Sequence, residues 1–256
     1  MKVEITHEPK FKKLDNLFVL AAEGTDFDGI AADIADRARF TGRTDETITV
    51  LEDDPRKVTL VGLGKRDELT SRGLTKALNS VAKIAQKQRD KRIAVDVITA
   101  MPGMDARDAT RLTASLLAQA DYKYDEYLTQ KKDEKRVLIE AVLVAPESLD
   151  GKWLREIERE AKALSDGIRT VRDLGNAPSN IVTPVRLAER AAEVAKQVGV
   201  KCTIYERKDI EKMKMGGLIA VNRGSDEEPR FVVMEYKTRR ASRHVALVGK
   251  GITFDS

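Results

Sequence analysis

Apolar positions in the first part of the chain switch between two periods. Leu17-Phe-Val-Leu-Ala21 and Thr47 to Leu51 are short runs that predict strands, and Lys57-Val-Thr-Leu-Val-Gly-Leu-Gly64 reads as a buried strand ending in glycines. Leu74, Leu78, Val81, Ala82 and Ala85 then recur at i, i+4, i+7, i+8 and i+11, one face of an amphipathic helix. Ile93 to Ile98 returns to strand, Ala109 to Ala120 has helical composition, and Val137 to Val144 is again rich in β formers. This alternation predicts an α/β fold built on a layered sheet.

From Trp153 a longer helical pattern begins. Trp153, Ile157, Ala161, Leu164, Ile168 and Val171 share one face, predicting a helix of about five turns that links two α/β halves. Val171 to Pro184 is dense in turn residues and predicts a loop. Thr183 as N-cap and Pro184 at the first helical position open the next helix. Leu187, Ala191, Val194, Ala195 and Val198 form its expected buried face, and Gly199 its stop. Strands are predicted at Val200 to Tyr205, Arg230 to Tyr236 and Val245 to Val248. Glycines within Met213 to Ser225 predict close backbone approach. The organisation expected is an N-terminal α/β domain over residues 1–150, a linking helix over 151–172, and the start of a second α/β domain over 173–256.

Composition narrows the function classes. Of 256 residues, 41% are hydrophobic and 34% charged, enough for a core beneath a well-solvated surface. The net charge of +4 is too small to argue for nucleic acid without a basic patch. No apolar run approaches a membrane span, and the N-terminus lacks the apolar stretch of a signal peptide. Cys202 is the only cysteine, which excludes an intrachain disulfide and a multi-thiolate zinc site and makes the cytoplasm the expected location. Its alternating surroundings place it on a strand's apolar face as a buried thiol. His7 and His244 have no paired metal-ligand spacing. Tyr122, Tyr124 and Tyr127 precede a charge run over Thr129 to Arg136; an aromatic cluster packed beneath a loop explains them better than a base-stacking surface.

Two glycine motifs fail the phosphate-loop test. Gly62-Leu-Gly-Lys65 lacks both the Walker spacing and a helix opening on its glycines, and reads as a strand-to-loop turn. Gly249-Lys-Gly251 fails for the same reason. Lys250 and Asp255, however, form a pair five residues apart after a predicted strand. One reading is a solvated lysine and a turn-capping aspartate. The other is metal chemistry, in which the carboxylate can bridge two divalent ions and the lysine ligates as a neutral amine beside them.

The surrounding residues favour the second reading by resemblance. Val248-Gly-Lys-Gly-Ile-Thr-Phe-Asp-Ser256 closely resembles the signature strand of the leucyl (cytosol) aminopeptidase family of two-metal metallopeptidases. Arg172 to Pro184 and Met215 to Ser225, the latter followed by Pro229 and the strand to Tyr236, resemble two further blocks of that family. Val61 to Lys65 and the Tyr122 to Lys132 region resemble its variable N-terminal domain.

The resemblance implies a macro-like N-terminal α/β domain followed by the truncated opening of a peptidase domain. It implies release of N-terminal amino acids from peptides by water activated between two divalent ions, Mn²⁺ or Zn²⁺, in a homohexameric enzyme. Lys250 would ligate one metal and Asp255 both. The family's catalytic lysine, its remaining acidic ligands and its bicarbonate-binding arginine have no counterpart in this chain, so no catalytic residue is assigned and the chain alone is expected to be inactive. The alternative is a non-catalytic nucleotide- or DNA-binding regulatory module, for which acidic and basic residues are too interleaved to offer a basic stripe.

Overall fold

The computed structural model describes residues 1–97, 101–127, 137–239 and 242–253. They divide into two compact units, Met1–Thr170 and Val171–Ser256.

The first unit is built on a six-stranded sheet in the order β1-β6-β5-β2-β4-β3. Its strands are β1 (Lys2–Thr6), β2 (Asn16–Ala21), β3 (Thr47–Leu51), β4 (Lys57–Gly62), β5 (Arg92–Val97) and β6 (Glu140–Val144). All neighbours run parallel except β3, which pairs antiparallel with β4 at the edge. Parallel strands require crossovers, and the helices α1 (Gly29–Ala38), α2 (Ser71–Lys87) and α3 (Ala106–Leu117) lie between them in sequence. Burial on both faces explains why β2 and β4 are continuous apolar runs rather than alternating ones.

Alternate residues feed two cores. On one face Phe18, Leu20, Ile93, Val95 and Leu143 pack against Leu74, Leu78 and Val81 of α2 and Leu117 of α3. On the other, Leu17, Val19, Val58 and Leu60 meet Ala31 and Ile34 of α1. The helix α4 (Gly151–Asn176) adds Leu154, Ile157 and Ala161 to the first core. It also caps the sheet edge, since the backbone N–H of Ile5 donates to Glu158 Oε1 at 2.6 Å, satisfying a group that an edge strand otherwise exposes. At its start the guanidinium of Arg107 lies over the Trp153 ring, 3.3 Å from the centroid.

α4 departs from expectation at its C-terminal end. The linking helix expected to finish at residue 172, with a loop from Val171, runs on to Asn176. Turn-forming composition there is overridden by the helix already propagating through it. Pro178 sets the limit, because the residue before a proline is disfavoured in the α conformation.

In the second unit, α5 (Pro184–Val198) starts where Thr183 Oγ1 accepts from Arg186 N–H at 3.3 Å and ends at Gly199, whose φ of 71° is left-handed. It packs on a two-stranded antiparallel sheet of β7 (Lys201–Tyr205) and β8 (Phe231–Glu235). The buried face of α5 is centred on Ala188 and Ala195, whereas Val198 is exposed. Cys202 is half-buried rather than fully enclosed, as a two-stranded sheet covered on one side would leave it. Two short helices, α6 (Arg207–Lys212) and α7 (Gly216–Asn222), connect the strands. The glycines expected to permit close approach do not: a Cβ at Gly216, Gly217 or Gly224 would meet nothing within 4 Å. Gly62 of the first unit does, for a Cβ there would fall 1.9 Å from the Arg43 carbonyl oxygen.

Candidate functional site

The second unit carries the residues singled out for metal chemistry. Its blocks are held by specific local contacts. Asn222, closing α7, accepts from Arg207 Nη2 at 2.6 Å and donates to the Glu227 carbonyl at 2.7 Å, which ties the turn before β8 back to α6. Tyr205 and Phe231 stack across the strand pair with centroids 5.8 Å apart. At the other end of the ladder Lys201 and Lys237 bind Glu235 at 3.0 and 3.3 Å. The hydrogen bond from Lys201, then that from Lys237, hold the Glu235 carboxyl below the usual carboxylate range.

Beyond β8 the expectation of a strand at Val245 to Val248 is not met. Residues 242–253 form neither helix nor strand, and Val245, Leu247 and Val248 are 84%, 96% and 97% exposed. An apolar run becomes a stable strand only when its backbone groups are paired and its faces covered. β7 and β8 pair only with each other, and no described strand takes up 245–248. Lys250 follows this stretch and is exposed, with Gly251 near Leu187 of α5, where a Cβ would lie 3.6 Å from Cδ2. Asp255 lies outside the described residues, as do Phe254 and Ser256.

The structure therefore does not bring Lys250 and Asp255 into a described constellation. Among the described residues, no group of three or more His, Cys, Asp and Glu side chains could hold a metal ion. One exposed amine does not fit a two-metal centre, whose affinity depends on ligand number and a supported shell. Nor is any helix among the described residues long and apolar enough to cross a membrane.

Sequence reasoning missed one chemically notable residue, Asp96. It stands inside the apolar run of β5, and an acidic residue in a buried parallel strand was the available signal.

Comparison with known proteins resolves the family. Residues 12–131 match the N-terminal domain of the cytosol aminopeptidase family, and residues 169–256 match that family's catalytic domain. The probable cytosol aminopeptidase of Syntrophotalea carbinolica is 33% identical over 258 residues, covering 98% of this chain and 50% of the relative. That of Bdellovibrio bacteriovorus is 36% identical over 223 residues, covering 84% and 44%. The chain thus spans about half the length of the curated relatives it matches.

Among solved structures, the bottromycin maturation enzyme BotP in complex with Mn superposes with a TM-score of 0.71 at 26% identity, covering 88% of this chain and 46% of that one. A mutant of tomato leucine aminopeptidase shares the fold with a TM-score of 0.75 at 20% identity, covering 95% and 52%. Two domain models of one family match in consecutive order and together take in most of the sequence, and the fold is the α/β architecture of these structures: the chain belongs to the cytosol aminopeptidase family.

Proposed function

We propose that this chain supplies the N-terminal α/β domain and the opening of the catalytic domain of a cytoplasmic metallo-aminopeptidase that releases N-terminal amino acids from peptides. The observation that carries the proposal is the order of the two family matches, residues 12–131 and then 169–256, with the Val248 to Ser256 block inside the second. In this reading the domains divide at residues 150 and 173, and the helix between them joins the halves. With the remaining ligands of a complete catalytic domain in place, Lys250 would be a ligand of one of two divalent ions, Mn²⁺ or Zn²⁺, and Asp255 a ligand of both. The ions supply activated water and a polarised carbonyl when the site is complete. The enzyme assembles as a homohexamer.

The same reading makes the 256 residues inactive alone, because two ligands are too few to retain the pair of ions. Two measurements test it. The chain incubated with leucyl-anilide and Mn²⁺ or Zn²⁺ is expected to show no turnover above buffer; turnover abolished by Lys250→Ala overturns the inactivity. A chimera in which residues 173–256 replace the corresponding stretch of the Syntrophotalea carbinolica relative is expected to hydrolyse the same substrate. Lys250→Ala and Asp255→Ala in that chimera should each lower kcat/KM by about a hundredfold or more. An active chimera indifferent to both substitutions removes the metal-ligand assignment.

A further inference from the structure

The first unit contains an open cavity of about 390 Å³ lined in part by the connection between β1 and β2. Helix α1 covers the middle of this face of the sheet, over β2 and β4. Toward β6 the β1–β2 connection, which includes a 3-10 turn at Phe11–Lys13, borders an open cavity instead. Pro9, Phe11, Leu17 and Val144 supply the apolar walls. The polar lining is His7, Glu8 and Asp96.

Three features of this lining point to one ligand chemistry. First, Asp96 is half-buried on β5 and has no hydrogen-bond or ion-pair partner among the described residues. A carboxylate so placed is costly unless something donates to it. Burial first, and the nearby Asp28 carboxylate second, push its carboxyl up to about 6. Second, His7 Nδ1 lies 3.2 Å from the Ala145 carbonyl oxygen. A carbonyl only accepts, so Nδ1 carries a proton, and in the Nδ1–H tautomer Nε2 is a further acceptor. Third, no lysine or arginine lines the cavity among the described residues. Lys10, Lys12 and Lys13 on the same connection are exposed and stand outside the lining, while Asp28 at the N-cap of α1 adds negative charge.

We infer that this cavity binds a small organic cation, an amine on an aromatic or aliphatic body, with the ammonium on Asp96 and the body against Phe11, Leu17 and Val144. The volume falls within the ordinary range for small-molecule sites, and apolar walls with a few convergent polar groups are their usual make-up. Acceptors without a cationic partner select against carboxylates, so a free amino acid, which carries both charges, is a poorer fit than the amine alone. Phe11, partly exposed, offers the ligand a ring for cation–π contact. The site belongs to the first unit alone and does not depend on Lys250, Asp255 or any peptidase activity.

Calorimetric titration of the full chain with benzylamine, benzyl alcohol and benzoate tests the inference. Benzylamine is expected to bind saturably at one site at neutral pH, and the neutral and anionic analogues to give no comparable heat. Asp96→Asn, a near-isosteric change, should weaken benzylamine by about tenfold or more. In the unsubstituted chain, lowering the pH below the Asp96 midpoint should weaken it in the same direction, as the carboxylate loses its charge. Phe11→Ala alters a side chain outside the core and should weaken binding severalfold; it decides the matter if the Asp96 variant does not fold. No binding of benzylamine up to ~10 mM, equal binding of benzyl alcohol, or unchanged affinity in a folded Asp96→Asn or Phe11→Ala variant overturns the inference.

Discussion

Asn16 Nδ2 donates to Asp90 Oδ2 across 3.1 Å, and neither side chain reaches solvent. Asn16 also accepts from Thr59 Oγ1 at 3.1 Å, and Lys57 Nζ binds the second Asp90 oxygen. Buried polar groups linked in this way tie the amino ends of β2 and β4 to the turn before β5, and such a network is costly to break in part. Asp90→Ala strands the Lys57 ammonium and leaves the Asn16 amide only Gln88 Oε1, at 3.2 Å, as acceptor; it should destabilise the first unit by about 3 kcal/mol. Thr59→Val removes two neutral bonds, the one to Asn16 and one with Thr49 Oγ1 at 3.0 Å, and should cost about 2 kcal/mol. Trp153 is the single tryptophan and packs with Arg107 in that unit, so urea unfolding followed by its fluorescence reads both values.

Glycine substitutions should separate the two units. Gly62→Ala places a Cβ against the Arg43 backbone carbonyl, where only a main-chain shift relieves the clash, and should cost about 3 kcal/mol. Gly217→Ala introduces a methyl into open space within α7 and should stabilise that helix by up to about 1 kcal/mol. Circular dichroism melts of the two variants are expected to move in opposite directions.

Asp96 gives the first unit a pH dependence of definite sign. Its carboxyl is raised from 3.8 to about 6 by burial first and Asp28 second, so the folded state holds the proton more tightly than the unfolded chain. The stabilising contribution of the protonated form is fully present below pH 3.8 and is lost as pH rises through about 6. Asp96→Asn removes this dependence and should leave the unit more stable than the parent at neutral pH, by about 2 kcal/mol after allowing for partial exposure. Urea midpoints measured on either side of pH 6 check the slope; a variant no more stable than the parent at neutral pH contradicts it.

The N-cap of α5 is a local feature with a local effect. Thr183 Oγ1 satisfies the Arg186 N–H, one of the donors that a helix start leaves without an intrahelical partner. Thr183→Ala should destabilise α5 by about 1 kcal/mol. Amide hydrogen exchange is expected to accelerate across Pro184–Val198 while α2 and α3 are unaffected.

Most of the first unit was legible because its pattern is strong. Five of its six strands and α2 follow from apolar runs and from helical spacing at Leu74 to Ala85. β1 and α1 escaped for physical reasons. β1 is an edge strand of five residues with one fully buried side chain, and two of the three buried residues of α1 are alanines, whose small apolar area weakens the periodic signal. In the second unit, capping chemistry located α5 to the residue at both ends. Tertiary context was the missing information elsewhere. Helix propagation carried α4 past Val171, and the glycine-rich stretch became the short helix α7 with open space around it. The proposed metal-ligand role of Lys250 and Asp255 rests on family resemblance alone, because spacing describes a solvated lysine equally well, and Asp255 lies outside the described residues.

The apolar segment after β8 should govern the solution behaviour of the chain. Val245, Leu247 and Val248 have the alternation and branching of a strand, yet they are nearly fully exposed and paired with nothing described. Such a segment loses no packing when made polar, so Leu247→Lys with Val248→Lys should change the unfolding midpoint of the second unit by no more than about 0.5 kcal/mol. Exposed apolar surface with high β propensity promotes association, and added charge opposes it. Light scattering at rising concentration should therefore show self-association of the parent chain that the double variant suppresses. The reverse pair of results, a marked loss of stability with unchanged scattering, means that these side chains are packed in solution and that 245–248 is a formed strand after all.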